Sequence, residues 1–139
     1  MKKFKFRLEK VLEYRTLVEQ WAKEAFLEAR LSTFECEGKI ADIKALRREL
    51  LTQPVGSIQE HKAIELMLQK SDDDERAQLT VLAVLKDEED AAMEEWKLKR
   101  QELKALQRLK DEALVVWQHD ANVAEQNELD EWATTRKVS

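Results

Sequence analysis

The side chains best suited to chemistry are few and scattered. His61 and His119 stand alone, with no H-E-x-x-H pattern and no Cys/His cluster. Nothing therefore supplies the three or four ligands that zinc requires, and each histidine reads as an exposed helix residue. Cys36 is the single cysteine. A thiol nucleophile needs a base beside it, and none is implied; the residue falls on an apolar stripe, where a free cysteine acts as a small hydrophobe. One cysteine cannot form an internal disulfide, which points to a reducing compartment. Gly38 and Gly56 lie outside any G-x-x-x-x-G-K-[ST] context, which excludes a P-loop nucleotidase. Carboxylates are abundant, but on highly charged helices their pairs form solvated faces. Trp21, Trp96, Trp117 and Trp132 read as seam residues rather than as a stacking platform for bases. The chain is read as a non-enzyme with no cofactor and no metal. What remains to it is the chemistry of apolar surfaces and charged faces meeting partners.

The elements that carry those surfaces follow from composition. Among 139 residues, 24 are basic and 29 acidic, against two Gly and one Pro. A sandwich or an α/β enzyme needs far more turn residues than that. The balance fits long helices instead. The net charge of −5 disfavours a nucleic-acid binder. No run of about 18 apolar residues exists, so no direct membrane insertion is expected. The basic start at 1–7 lacks the apolar stretch of a signal peptide, since Leu8, Glu9 and Lys10 interrupt it. A cytosolic protein is expected.

The one strong turn signal is Gln53-Pro54-Val55-Gly56-Ser57. Ser57-Ile58-Gln59-Glu60 then reads as a capping box. The expected fold is an all-α, antiparallel two-helix coiled-coil hairpin with a longer C-terminal helix. Helix 1 runs from about 4 to 52, the turn occupies 53–57, and helix 2 runs from about 58 to 134, as a single domain over 1–139. Gly38 inside helix 1 costs about 1 kcal/mol relative to Ala. A heptad with a positions at Leu8, Arg15, Ala22, Ala29, Cys36, Ile43 and Leu50, and d positions at Val11, Val18, Ala25, Ser32, Lys39 and Leu46, is apolar at all but three places. Leu12, Trp21, Phe26 and Ile40 flank it and widen the stripe. On helix 2 the seam runs through Leu82, Leu85, Glu89, Ala92, Trp96, Lys99, Leu103, Leu106, Lys110, Ala113 and Trp117. The acidic stretch at 71–75 suggests either a second N-cap or an uninterrupted helix with an acidic face, and continuity is expected. The apolar run at 79–85 reads as a segment buried on several sides or, alternatively, as a docking surface.

Unequal arms have a consequence. At 1.5 Å per residue, helix 1 spans about 72 Å and helix 2 about 115 Å. The C-terminal end therefore overhangs with Leu114, Val115, Val116, Trp117, Val123, Leu129 and Trp132, and so much unpaired apolar surface calls for a partner. Charge is blocky as well. Acids crowd 87–95, and Lys97, Lys99, Arg100, Lys104, Arg108 and Lys110 follow, near Lys2, Lys3, Lys5 and Arg7 in a hairpin. These are read as solvated faces that repel mildly, or as a basic collar meeting an acidic ring.

The two ends of the chain resemble a known family. The opening Phe4-Lys5-Phe6-Arg7-Leu8-Glu9-Lys10-Val11-Leu12-Glu13-Tyr14-Arg15, followed by Glu19, Ala22, Leu27 and Ala29, is similar to the F-x-F-x-L-x-x-V-L-x-x-R start of the flagellar export protein family FliJ. The other end agrees, with Glu95-Trp96, Leu103, Leu106 and Leu109 in a basic stretch, and Glu125-Gln126, Leu129-Asp130-Glu131, Ala133 and Arg136 at the close. The resemblance covers nearly the whole chain. It implies a hairpin stalk like the γ shaft of rotary ATPases, seated in the pore of the hexameric flagellar export ATPase and promoting its assembly and activity. It also implies contact with the export-gate membrane protein and with export chaperones. The location it implies is cytoplasmic and peripheral, at the inner face of the membrane at the flagellar base. Carried over, Phe4, Phe6, Leu8, Val11 and Arg15, with Leu129, Glu131 and Arg136, face the ATPase, and Trp117 joins them from the overhang. Leu46, Leu50, Ile64, Met67 and Leu68 are the gate candidates. For each, seam packing is the competing role.

The alternatives are the equivalent stalk of a virulence-type secretion system and a generic dimeric coiled-coil scaffold with parallel self-association. An adaptor using 97–110 to bind nucleic acid is opposed by the acidic block beside it.

Overall fold

The computed structural model describes residues 2–138. Two helices account for nearly all of them: α1, Glu9–Thr52, and α2, Ile58–Val138. They are joined at 53–57, and no strand occurs among the described residues. The all-α two-helix arrangement is the one expected, with α2 the longer helix. The chain forms two compact units, Met1–Gln20 with Lys97–Ser139, and Trp21–Trp96.

The second unit contains the turn. Pro54 and Gly56 end α1, and Ser57 starts α2. The Glu60 N–H donates to Ser57 Oγ at 3.1 Å, as a capping box requires. The Glu60 carboxylate reaches back one residue further than the usual box, accepting from the Gly56 N–H at 2.8 Å. From this turn the two helices run back antiparallel. Cys36 lies by Gln78, Thr33 by Leu85, and Phe26 by Trp96, so the partner number rises on α2 as it falls on α1. Phe26 stacks on Trp96 with centroids 5.4 Å apart. Cys36, Ile40 and Leu50 complete the buried apolar set of α1 here. α2 is continuous through 71–75, and Ser71 is a buried seam residue rather than a cap.

The first unit pairs the start of α1 with α2 beyond residue 97. Leu12 and Leu103 are buried, each contributing about 1.5–3 kcal/mol by removal from water. Arg15 pairs with Glu102, and Lys110 with Glu9 at 2.9 Å. These pairs relieve part of the expected repulsion between basic stretches. α1 begins at Glu9 rather than near residue 4. The Glu9 N–H donates to the Phe6 carbonyl at 3.2 Å, and residues 2–6 are non-helical. Lys2, Lys3, Lys5 and Arg7 would oppose the positive pole of a helix start, whereas Glu9 suits it.

The α1 register needs correction at its second position. The a set is buried or half-buried throughout, but its partners are Leu12, Glu19, Phe26, Thr33, Ile40 and Arg47. Val11, Ala25, Ser32, Lys39 and Leu46 are exposed and Val18 is only half-buried. Counting apolar residues misleads because three true seam positions are polar. Thr33 and Arg47 meet groups of α2. The Thr33 hydroxyl donates to the Ala29 carbonyl at 3.1 Å and sits 3.5 Å from that of Leu85, while Arg47 bridges to Asp72 and Glu75. On α2 all eleven expected seam residues are buried or half-buried. The run at 79–85 is not enclosed on several sides: Leu79, Val81 and Val84 are exposed while Leu82 and Leu85 face the seam.

Candidate partner-binding surfaces

His61 and His119 are exposed, and Cys36 is buried with its thiol donating weakly to the Gln78 carbonyl at 3.5 Å. Among the described residues no cluster of His, Cys, Asp or Glu could hold a metal, and no helix is long and apolar enough to cross a membrane.

In the first unit, Phe4 is half-buried and meets Trp117 edge-on, with centroids 6.0 Å apart. Phe6 and Leu8 are half-buried, Val11 is exposed, and Arg15 is held by Glu102. Beside them, Phe4 and Phe6 line a shallow groove with Lys5, Arg7, Glu9, Lys10 and Lys110, which is basic on balance, with Lys110 paired to Glu9. A second shallow groove joins Lys2 and Trp117 to Ala121, Ala124, Glu125 and Glu128. The overhang is shorter than the arm lengths imply. The non-helical residues before α1 extend along α2, so Trp117 is covered by Phe4 and Leu114 is half-buried. From 122 to 136 every residue is exposed, including Val123, Leu129 and Trp132. Glu131 and Arg136 lie on this stretch, and the Arg136 guanidinium sits 4.8 Å over the Trp132 ring. The structure thus brings together Phe4 and Trp117, and sets Leu129, Glu131 and Arg136 apart on a bare helix.

In the second unit, Leu50 is 7% exposed and belongs to the seam. Ile64 and Leu68 are half-buried, and Leu46 and Met67 are open. Leu51, Val55, Ile58 and Leu66, not singled out by sequence, are also exposed near the turn. A larger omission is the outer face of α1, where Leu27, Leu31 and Phe34 are all exposed. Their i, i+4, i+7 spacing was the signal that could have found them.

Arg47 is the strongest electrostatic feature. One nitrogen, Nη2, contacts both Asp72, at 2.9 Å, and Glu75. Hydrogen bonding to Glu75 raises the guanidinium above its ordinary range, with burial opposing and the charges of Glu75 and Asp72 assisting. Its Nε is buried without a partner among the described residues.

No curated protein and no solved structure matches the chain. The family of the flagellar FliJ protein matches residues 4–137, which includes both the Phe4–Trp117 contact and the bare C-terminal stretch. That span takes in all but a few residues of the chain, which therefore belongs to the flagellar FliJ protein family, non-enzymatic components of flagellar protein export.

Proposed function

We propose that this export component acts as the central stalk of the hexameric flagellar export ATPase, promoting its assembly and turnover, and that it links the ATPase to the export gate and to export chaperones. The observation that carries the reading is the stretch of α2 at 122–136, in which every residue is exposed, Val123, Leu129 and Trp132 among them. Such a helix is poorly suited to water and well suited to the inside of a protein ring. The basic groove, where Lys5, Arg7 and Lys10 stand beside the Lys110–Glu9 pair, offers an acidic pore a complementary charge. Near the turn, the open side chains of Leu46 and Met67 suit an apolar gate contact better than Leu50, which the seam occupies. In this role the chain works in the cytoplasm, peripheral to the membrane at the flagellar base.

The test mixes the purified chain with its cognate export ATPase. Ring formation and faster hydrolysis are expected, and both should fall with Leu129→Asp. Unchanged hydrolysis and no association would overturn the reading.

A further inference from the structure

We propose that two copies of this chain associate weakly through the outer face of α1, side by side and in the same direction. Leu27, Leu31, Phe34, Gly38, Ala41 and Ala45 recur at alternating steps of four and three, the spacing of a coiled-coil seam. They lie opposite the seam that α1 makes with α2, and all six are exposed; Phe34 is 71% exposed. Nothing lies within 4 Å of the position a Gly38 Cβ would take. The stripe is bounded by Glu24 and Arg48, so it is a defined patch within one unit.

Charge identifies the occupant. One flank of the stripe carries Lys23, Arg30, Glu37 and Lys44, and the other Glu28, Glu35, Asp42 and Glu49. On a single helix, residues five apart sit on opposite flanks and cannot reach each other. Across a parallel coiled coil, such residues meet. There Lys23 faces Glu28 of the second copy, Arg30 faces Glu35, and Lys44 faces Glu49, with only Glu37 and Asp42 opposed. Reversing one copy improves the packing, because Phe34 then covers Gly38 and Leu31 covers Ala41. It also sets Arg30 against Lys44, Glu28 against Asp42 and Glu35 against its own counterpart, so every flanking pair repels. In the parallel arrangement Leu27, Leu31 and Phe34 meet their counterparts, while the small residues from Gly38 to Ala45 let the helices converge. Three large side chains per copy bury less than a tight complex does, so the association is weak and the dilute protein monomeric.

The experiment is disulfide trapping of the full chain bearing Cys36→Ala and Ala45→Cys. Position 45 meets itself only in the parallel pair, so mild oxidation is expected to give a covalent dimer. Mixing that protein with a Cys36→Ala, Leu27→Cys chain tests the reversed pair, and trapping only in the mixture would overturn the proposal. Sedimentation of the unmodified chain should show mass rising with concentration, weakening roughly tenfold as salt screens the flanks. Phe34→Asp should abolish the rise with helicity intact. Absence of both trapping and concentration dependence overturns the proposal, as does association that strengthens with salt. None of these readouts involves the ATPase.

Discussion

The Phe4 ring meets the Trp117 indole edge-on with centroids 6.0 Å apart, although Phe4 precedes the first turn of α1 by several residues. This contact anchors a non-helical arm carrying Lys2, Lys3, Lys5 and Arg7. Phe4→Ala and Trp117→Ala should each lower the unfolding midpoint. A double-mutant cycle should return a coupling of about 0.5–1.5 kcal/mol. Additive losses would mean that the rings touch without interacting. Trp117→Ala is consequently a fold variant as well as a surface variant, and is a poor probe of partner binding alone.

Arg47 tests how a charged seam position is tolerated. Both Asp72 and Glu75 use the same nitrogen of Arg47, and Nε has no partner among the described residues. A lysine ammonium, with its donors on one atom, can serve both carboxylates without burying an orphan N–H. Arg47→Lys should therefore retain most of the wild-type midpoint, whereas Arg47→Met should lower it by leaving the largely buried Glu75 carboxylate unpaired, the exposed Asp72 adding little. The sign with pH follows from the raised guanidinium. A group whose pKa is higher in the folded state stabilises fully below its unfolded value and loses the benefit only as pH climbs through the folded one. For an arginine that window is strongly alkaline. The gap between wild type and Arg47→Met should thus be equal at neutral pH and in mildly alkaline buffer, as read by thermal melts.

The α1 register shows where sequence reasoning stops. The a set and the α2 seam from Leu82 to Trp117 are legible because apolar side chains recur there at heptad spacing. The second α1 set is not, because Glu19, Thr33 and Arg47 interrupt it, while the exposed alternative offers Val11, Val18 and Leu46. Thr33 and Arg47 belong in the seam by virtue of the Leu85 carbonyl and the carboxylates of Asp72 and Glu75, and no periodicity count sees a partner on another helix. Ser71, beside three aspartates, resembles a cap, but α2 runs through it without a break, as expected, and it is buried in the seam. The candidate surfaces were legible where they depended on the arm-length difference, and blurred where the non-helical arm covered Trp117.

The two glycines should respond oppositely to alanine. Neither has positive φ, so backbone strain plays no part. At Gly38 a new methyl meets nothing within 4 Å. Gly38→Ala should stabilise by about 0.5–1 kcal/mol through helix propensity. At Gly56 the methyl would stand 3.1 Å from Glu60 Oε2, the oxygen that accepts from the Gly56 N–H. Gly56→Ala should displace that carboxylate and cost about 0.5–1 kcal/mol of capping. Denaturant midpoints moving in the same direction for both would refute the distinction.

The bare stretch of α2 separates folding from partner binding. Leu129 and Trp132 are exposed, so Leu129→Asp and Trp132→Ala should leave helicity and the unfolding midpoint within about 0.5 kcal/mol of wild type. The Arg136 guanidinium lies over the Trp132 ring, a contact worth about 0.5–1 kcal/mol at an exposed site. If the stretch is the surface that a ring encloses, desolvating these side chains supplies much of the association energy, and truncating a buried aromatic anchor commonly costs 2 kcal/mol or more. Stimulation of the export ATPase should then fall by about tenfold or more in Leu129→Asp, where a carboxylate enters an apolar contact. Arg136→Ala should lower it less, by loosening the Trp132 ring rather than removing it. Equal stimulation by all three variants would move the binding surface to the arm and its cationic groove, where Lys5→Glu and Lys10→Glu are the next substitutions to measure.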